Sequence, residues 1–372
     1  MTRWTLTAGL SLLALGGALA AAKLLPREVA VEPVAEPSAS SPRDVDIVLC
    51  LDTSGSMSAL IDSARARLWD VVNEVAQVEP DANLRVGLLS YGSPGPAGSA
   101  AGYVVLQSSL TSDLDALYGR MQGLSTDGGD EYVGWVLDDA LQRMPWSTDD
   151  NAAHLVFVAG NESALQGPKD AIAIARQARE RGFKVNTLYA GDERQGISEH
   201  WPEVANAGGG RFTAISMADG LVQVETPHDA EIQRLNDELN GTYVPFGTLG
   251  QAKKRRQTAQ DANARSMGFG SAATRTLAKG TRLYKNADWD LVDATDGGLD
   301  VESVPEASLP AEMRAMRPSQ RKAYVDELAA KRAEIRLRMQ DRKLDREKWV
   351  EENVEEGEGL GVKMKEMVAE QL

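Results

Sequence analysis

Between residues 44 and 215, short apolar runs alternate with segments whose apolar positions recur at helical spacing. Val45 to Leu51 is almost continuously apolar and stops at Asp52, which suits a strand covered on both faces. Leu60, Ile61, Ala64, Leu68, Val71, Val72 and Val75 then keep the period of a helix. Leu84 to Tyr91 predicts a second strand, and Tyr103 to Leu106, beyond a loop of Gly, Pro, Ser and Ala, predicts its hairpin partner. Helices are expected over Asp113 to Gln122 and around Val133, Val136, Leu137, Ala140 and Leu141. His154 to Ala159 is the next strand. Pro168 reads as the first residue of a helix that Gly182 closes. A strand over Lys184 to Ala190, a helix over Ile197 to Asn206 and a short strand over Arg211 to Ile215 complete the series. Such alternation predicts an α/β fold with a doubly wound, mostly parallel, Rossmann-like sheet.

The flanks read differently. Residues 1–22 join Arg3 to an apolar stretch ending in Ala18-Leu19-Ala20, the pattern of a secretory signal peptide, with an uncleaved membrane anchor as the rival reading. Either reading exports the remainder, to a periplasmic or extracellular location. Residues 23–43 form a Pro-rich linker. The α/β domain is expected to span 44–225, and a helical extension with a small satellite core around Tyr284, Trp289, Leu291 and Val292 to span 226–318. Within that extension Thr226-Pro227 reads as a helix start and Gly241 as its stop. Residues 319–372 read as a long charged helix and tail, acidic over Glu351 to Glu358.

Composition narrows the chemistry. The 372 residues carry 40 Lys+Arg against 55 Asp+Glu, a formal net charge of −15 that disfavours nucleic acid as a partner. Lys253-Lys254-Arg255-Arg256 is therefore expected to be a solvated face. A single cysteine, Cys50, excludes an internal disulfide and reads as a core residue. The three histidines, His154, His200 and His228, are scattered, and no nucleophile-elbow pattern surrounds Ser54 or Ser56, so an enzyme is not expected and a hydrolase is the least favoured reading.

Ligands of such sheets sit beyond the carboxyl ends of the strands. There the first strand ends in Asp52-Thr53-Ser54-Gly55-Ser56, one carboxylate and two hydroxyls in a tight turn, a hard oxygen set suited to Mg²⁺, with Mn²⁺ or Ca²⁺ as alternatives. The plain alternative is a helix cap built from Ser54 or Ser56. A second loop, Ser125 to Glu131, supplies Asp130, with Thr126, Asp127 and Glu131 as outer partners.

Asp52-x-Ser54-x-Ser56 after an apolar strand, in this order of elements, resembles the metal-ion-dependent adhesion site of von Willebrand factor type A (VWA) domains. The chain as a whole resembles exported bacterial VWA-domain proteins of uncharacterised activity. The resemblance implies that Asp52, Ser54, Ser56 and Asp130, in Gly128-Gly129-Asp130, hold the metal. It also implies that a protein partner offers a carboxylate to the ion. Where the family has Thr-Asp-Gly after its fourth strand, this chain has Ala159-Gly160-Asn161-Glu162, which leaves Asn161 or Glu162 as the nearest polar substitute. The function expected is adhesive binding. The alternative is a scaffold or assembly factor with a degenerate domain, acting through its carboxyl-terminal helices. Contact with a membrane is expected only through an uncleaved first segment.

Overall fold

The computed structural model describes residues 42–95, 98–215, 224–354 and 360–372. The expected leader, the linker up to residue 41, and residues 355–359 of the acidic stretch lie outside them. Six strands make one sheet among the described residues: β1 (Asp44–Asp52), β2 (Asn83–Tyr91), β3 (Val105–Thr111), β4 (Ala153–Gly160), β5 (Phe183–Ala190) and β6 (Gly209–Ile215). Their order is β3-β2-β1-β4-β5-β6, with β3 antiparallel and the others parallel, the doubly wound sheet expected. β1 lies at the middle, buried at eight of its nine positions, because Ile47, Val48, Leu49, Cys50 and Leu51 are apolar toward both faces.

Helices cover each face. α1 (Ser58–Val78), α2 (Leu114–Gln122), α3 (Val133–Arg143), α4 (Ala171–Glu180), α5 (Glu193–Ser198) and α6 (Trp201–Ala207) belong to the alternating half. Leu60, Ile61, Leu68, Val72 and Val75 of α1 join Ile47, Leu49, Phe157 and Leu188 in one core; Val136, Leu137, Ala175 and Val204 join Val48, Cys50, Val156 and Val185 in the other. Two local expectations are corrected. Asp170, not Pro168, begins α4, its carboxylate accepting from the Ala173 N–H at 3.0 Å. The single helix expected over 197–206 is two, broken at His200, which takes a left-handed φ of 67°.

The carboxyl-terminal half comprises α7 (Asp229–Asn240), α8 (Gly250–Ser266), α9 (Phe269–Gly280), α10 (Leu291–Asp296), α11 (Ala311–Arg314), α12 (Pro318–Asn353) and α13 (Leu360–Gln371). The Thr226-Pro227 start falls two residues early: Asp229 opens α7, and its carboxylate accepts from the Thr226 N–H and hydroxyl. Residues Pro42 to Leu372 form one compact unit, so this half is no separate body. Tyr284 and Trp289 join the same core as α1, while Leu291 and Val292 join a smaller cluster with Val325 and Met313.

Charges buried between helices fasten this half. Arg275 of α9 is 1% exposed and donates to Asp115 of α2 and Asp261 of α8, both at 2.8 Å. Lys279 reaches the same Asp261 at 2.9 Å and the amide oxygens of Asn236 and Asn240 at 2.7 Å. Arg332 of α12 donates to Asp290 at 2.7 Å and Asp293 at 2.6 Å. The basic cluster of α8 is likewise engaged: Lys253 pairs with Asp113 and Asp288, Arg256 with Asp113, and Lys254 donates to the Asn240 carbonyl. No helix among the described residues is long and apolar enough to cross a membrane.

Candidate metal centre at the carboxyl edge

β1, β2 and β4 end side by side, and parallel register sets Asp52 opposite Tyr91 and Leu51 opposite Ala159. The crevice between these ends is narrow because two glycines line it. Gly92 has a φ of 78°, and a Cβ there would stand 2.6 Å from Asp52 Oδ1 and 2.9 Å from Glu131 Cγ. A Cβ on Gly160 would meet the Tyr91 hydroxyl at 2.4 Å and Asp52 Oδ2 at 3.3 Å.

Asp52 is fully buried, and its Oδ1 accepts from the Ser54 N–H at 2.7 Å. Thr53 fixes the turn through its N–H and hydroxyl, which both donate to the Tyr91 carbonyl at 2.8 and 2.9 Å. Neither serine caps the helix that follows. Met57 holds the cap position of α1, without a side-chain cap bond, so the plain alternative does not account for either hydroxyl as a cap. Ser56 Oγ accepts from Asn161 Nδ2 at 3.0 Å, which brings the β4 loop against the β1 loop.

The second loop divides its carboxylates. Asp130 is exposed and accepts from the Tyr132 hydroxyl at 3.0 Å. Glu131 is 5% exposed and lies against Asp52, its N–H donating to Gln166 Oε1 at 2.6 Å while Gln166 Nε2 donates to Glu162 at 3.0 Å. Asp127 anchors the loop through its N–H to the Thr53 carbonyl at 3.0 Å and leaves its carboxylate in solvent; Thr126 is half-buried beside it. Thus Asp52, Ser54, Ser56 and Asn161 come together with Glu162 at their rim, and of the second loop's carboxylates Glu131 is buried beside Asp52 while Asp130 faces solvent. In a loop without regular period, no sequence signal distinguishes the neighbouring carboxylates.

Four buried oxygens here have no hydrogen-bond partner: Asp52 Oδ2, Ser54 Oγ, Glu131 Oε2 and Asn161 Oδ1. Orphaned polar atoms inside a fold are costly and call for a ligand. Two carboxylates, a hydroxyl and an amide oxygen are hard donors, which fit Mg²⁺, Mn²⁺ or Ca²⁺. Among the described residues no three Asp, Glu, His or Cys side chains group as metal ligands, so an ion held here would need the hydroxyls and the amide oxygen as well. Burial raises the Asp52 carboxyl to about 6, opposed by the bond from the Ser54 N–H and the nearness of its hydroxyl, and Glu162 adds to the rise. Burial, then the Asp52 charge, raises Glu131 as well. Burial is the main cause of both rises, and a neighbouring carboxylate adds to each.

The histidines lie elsewhere. His154 stacks on Phe183 with ring centroids 4.8 Å apart, His200 contacts Glu203, and His228 precedes α7.

No family model matches the sequence, and no curated protein matches it. Among solved structures the chain is similar to BatB, a conserved hypothetical protein from Bacteroides thetaiotaomicron, at 18% identity and a TM-score of 0.37, over 46% of this chain and 90% of that one. It is similar to the von Willebrand factor domain of Mfa5, a type V pili tip protein from Porphyromonas gingivalis, at 15% identity and a TM-score of 0.36, over 48% and 91%. A third is proximal thread matrix protein 1 of the mussel byssus, with a zinc-occupied adhesion-site motif, at 16% identity and a TM-score of 0.37, over 48% and 43%. These likenesses are slight, and the site described above stands on its own side chains.

Proposed function

We propose that this chain is an exported, non-enzymatic, VWA-type binding protein that takes up a divalent cation at the carboxyl edge of its sheet and engages a protein partner there. Asp52, Ser54, Ser56 and Glu131 would hold the ion, with Asn161 and Glu162 beside it. The observation that carries the reading is the group of four buried, unpartnered oxygens in one crevice. Mg²⁺ is the ion proposed, since few carboxylates and several neutral oxygens suit a small cation that retains water. An ion with a free coordination position could accept a carboxylate from the partner, as the family resemblance implies. That requires positive charge to remain on the ion, and the buried Glu131 bears on this directly.

Calorimetric titration with Mn²⁺ tests the centre: one ion is expected per chain, and Asp52→Ala is expected to abolish binding. Undiminished binding in that variant would exclude this crevice. A second reading, a scaffold acting through its helices, draws on Leu337 and Leu344 of α12, which are 65% and 59% exposed and seven residues apart. Partner capture that survives EDTA and is lost in a Leu337→Glu/Leu344→Glu variant would favour it.

A further inference from the structure

Taking the Asp52 crevice as the partner-facing site of the proposed module, we infer that the surface it receives is basic, presenting lysine or arginine side chains to a ring of carboxylates. The argument starts from charge. A doubly charged ion with Asp52 as its sole anionic ligand keeps one unit of positive charge, and an incoming carboxylate would be drawn to it. Glu131, buried beside Asp52, would cancel that unit on ionising against a bound ion. Beyond these two the rim is acidic: Glu162, Asp127 and Asp130 are exposed around the crevice. Burial raises the pKa of the Tyr189 phenol at the end of β5, and the charges of Glu199, Asp192 and Glu162 add to the rise. Exposed charges on one edge act together on a group that approaches within about one Debye length, roughly 8 Å.

Little on this edge opposes them. Lys169 is bound to Asp138 and lies 4.4 Å over the Trp135 ring; Arg194, next but one to Asp192, is an exposed cation. With an ion bound the crevice would be neutral inside a negative rim; without it the exposed rim of Asp127, Asp130 and Glu162 is negative still. Either state repels a carboxylate and attracts an ammonium or guanidinium group. The buried, unpartnered Asp52 Oδ2, Ser54 Oγ and Glu131 Oε2 mark the same place as a ligand-taking one, independently of the rim's charge. Two apolar side chains complete the surface. Leu165 and Ile197 are 41% and 51% exposed, and the Ala164 N–H donates to the Glu199 carbonyl at 2.9 Å, joining the segments that bear them. They offer footing to the methylene stems of long basic side chains.

Fluorescence anisotropy with a labelled lysine-rich dodecapeptide and a glutamate-rich one of equal length, in Mn²⁺ and in EDTA at physiological salt, tests this. The lysine-rich peptide is expected to bind. Glu162→Lys/Glu199→Lys should weaken it about fivefold or more, whereas Asp150→Lys/Glu180→Lys, at the opposite edge of the sheet, should change it by less than about twofold. Glu162→Gln/Glu199→Gln serves where the reversed pair does not fold. Equal losses in the two reversed pairs would reduce the effect to the net charge of the chain and overturn the inference, as would no binding at all. A glutamate-rich peptide bound in Mn²⁺ and released by EDTA would overturn it while leaving the cation-dependent module standing. Absence of Mn²⁺ binding in the calorimeter would remove the module, and the peptide comparison would still decide the sign of the partner.

Discussion

Single residues set the character of the crevice, and Glu131 most of all. Asp130 and Glu131 are adjacent, yet one bonds a surface tyrosine and the other lies buried beside Asp52. Glu131→Ala is therefore expected to weaken Mn²⁺ binding at least tenfold, and Asp130→Ala to leave it within about twofold, as read by titration calorimetry. The reverse ranking would return the site to the assignment read from Gly128-Gly129-Asp130. A residue remote from the site carries a pH effect. Burial lowers the pKa of His154, with the Asp46 charge opposing, so the unfolded chain takes up the proton first, near 6.5. Stability from this group is complete above that value and declines as pH falls through it toward the lower folded pKa. At pH 5.5 the loss is expected not to exceed about 1.4 kcal/mol, and His154→Phe, which preserves the stack on Phe183, should remove it from urea unfolding curves taken at pH 7.5 and 5.5.

At the scale of elements, legibility follows whether the hydrophobic pattern alone decides the structure. β1, β2, β4 and β5 are read nearly to the residue, because strands buried on both faces must be continuous apolar runs. Asp52, Ser54 and Ser56 share that legibility, since the turn must begin where the run ends. Helix starts are less legible: Asp170 accepts a cap bond that Pro168 cannot, and His200 interrupts a helix whose apolar period continues through it. What the pattern hides is the buried ionic lattice, since Arg275, Lys279 and Arg332 look like solvated charges until the helices that surround them are known. Asp261 bonds both Arg275 and Lys279, so Asp261→Asn would leave Lys279 without a carboxylate and Arg275 with Asp115 alone, and is expected to cost about 3–5 kcal/mol in chemical unfolding. Asp326→Asn, which breaks the exposed pair with Lys322, should leave the midpoint unmoved. Equal effects from the two would mean that the lattice adds nothing beyond packing.

Over the whole molecule, the carboxyl terminus is part of the α/β core and no appendage to it. α13 lies along α1, and Met364, Met367 and Val368 are buried in the same cluster as Leu60, Leu68 and Val72. Polar contacts hold the same helix: Arg211 pairs with Glu370, Gln371 exchanges hydrogen bonds with Asn186, and Arg43, just before β1, donates to the Leu372 carbonyl at 2.6 Å. Burying three such apolar side chains contributes roughly 5–8 kcal/mol, a large fraction of the about 5–15 kcal/mol that holds a folded domain. A chain ending at Asn353 is therefore expected to lose cooperative unfolding, or to show its urea midpoint displaced by most of its range. The single change Met367→Ala should cost about 2–5 kcal/mol. Because α1 begins at the Asp52 turn, loosening its packing should also weaken Mn²⁺ binding in the Met367→Ala variant under conditions where it remains folded. A truncated chain that unfolds like the full one, with its Mn²⁺ affinity intact, would show that the sheet and its ion site are complete without α13, and that the terminal helix only rests on them.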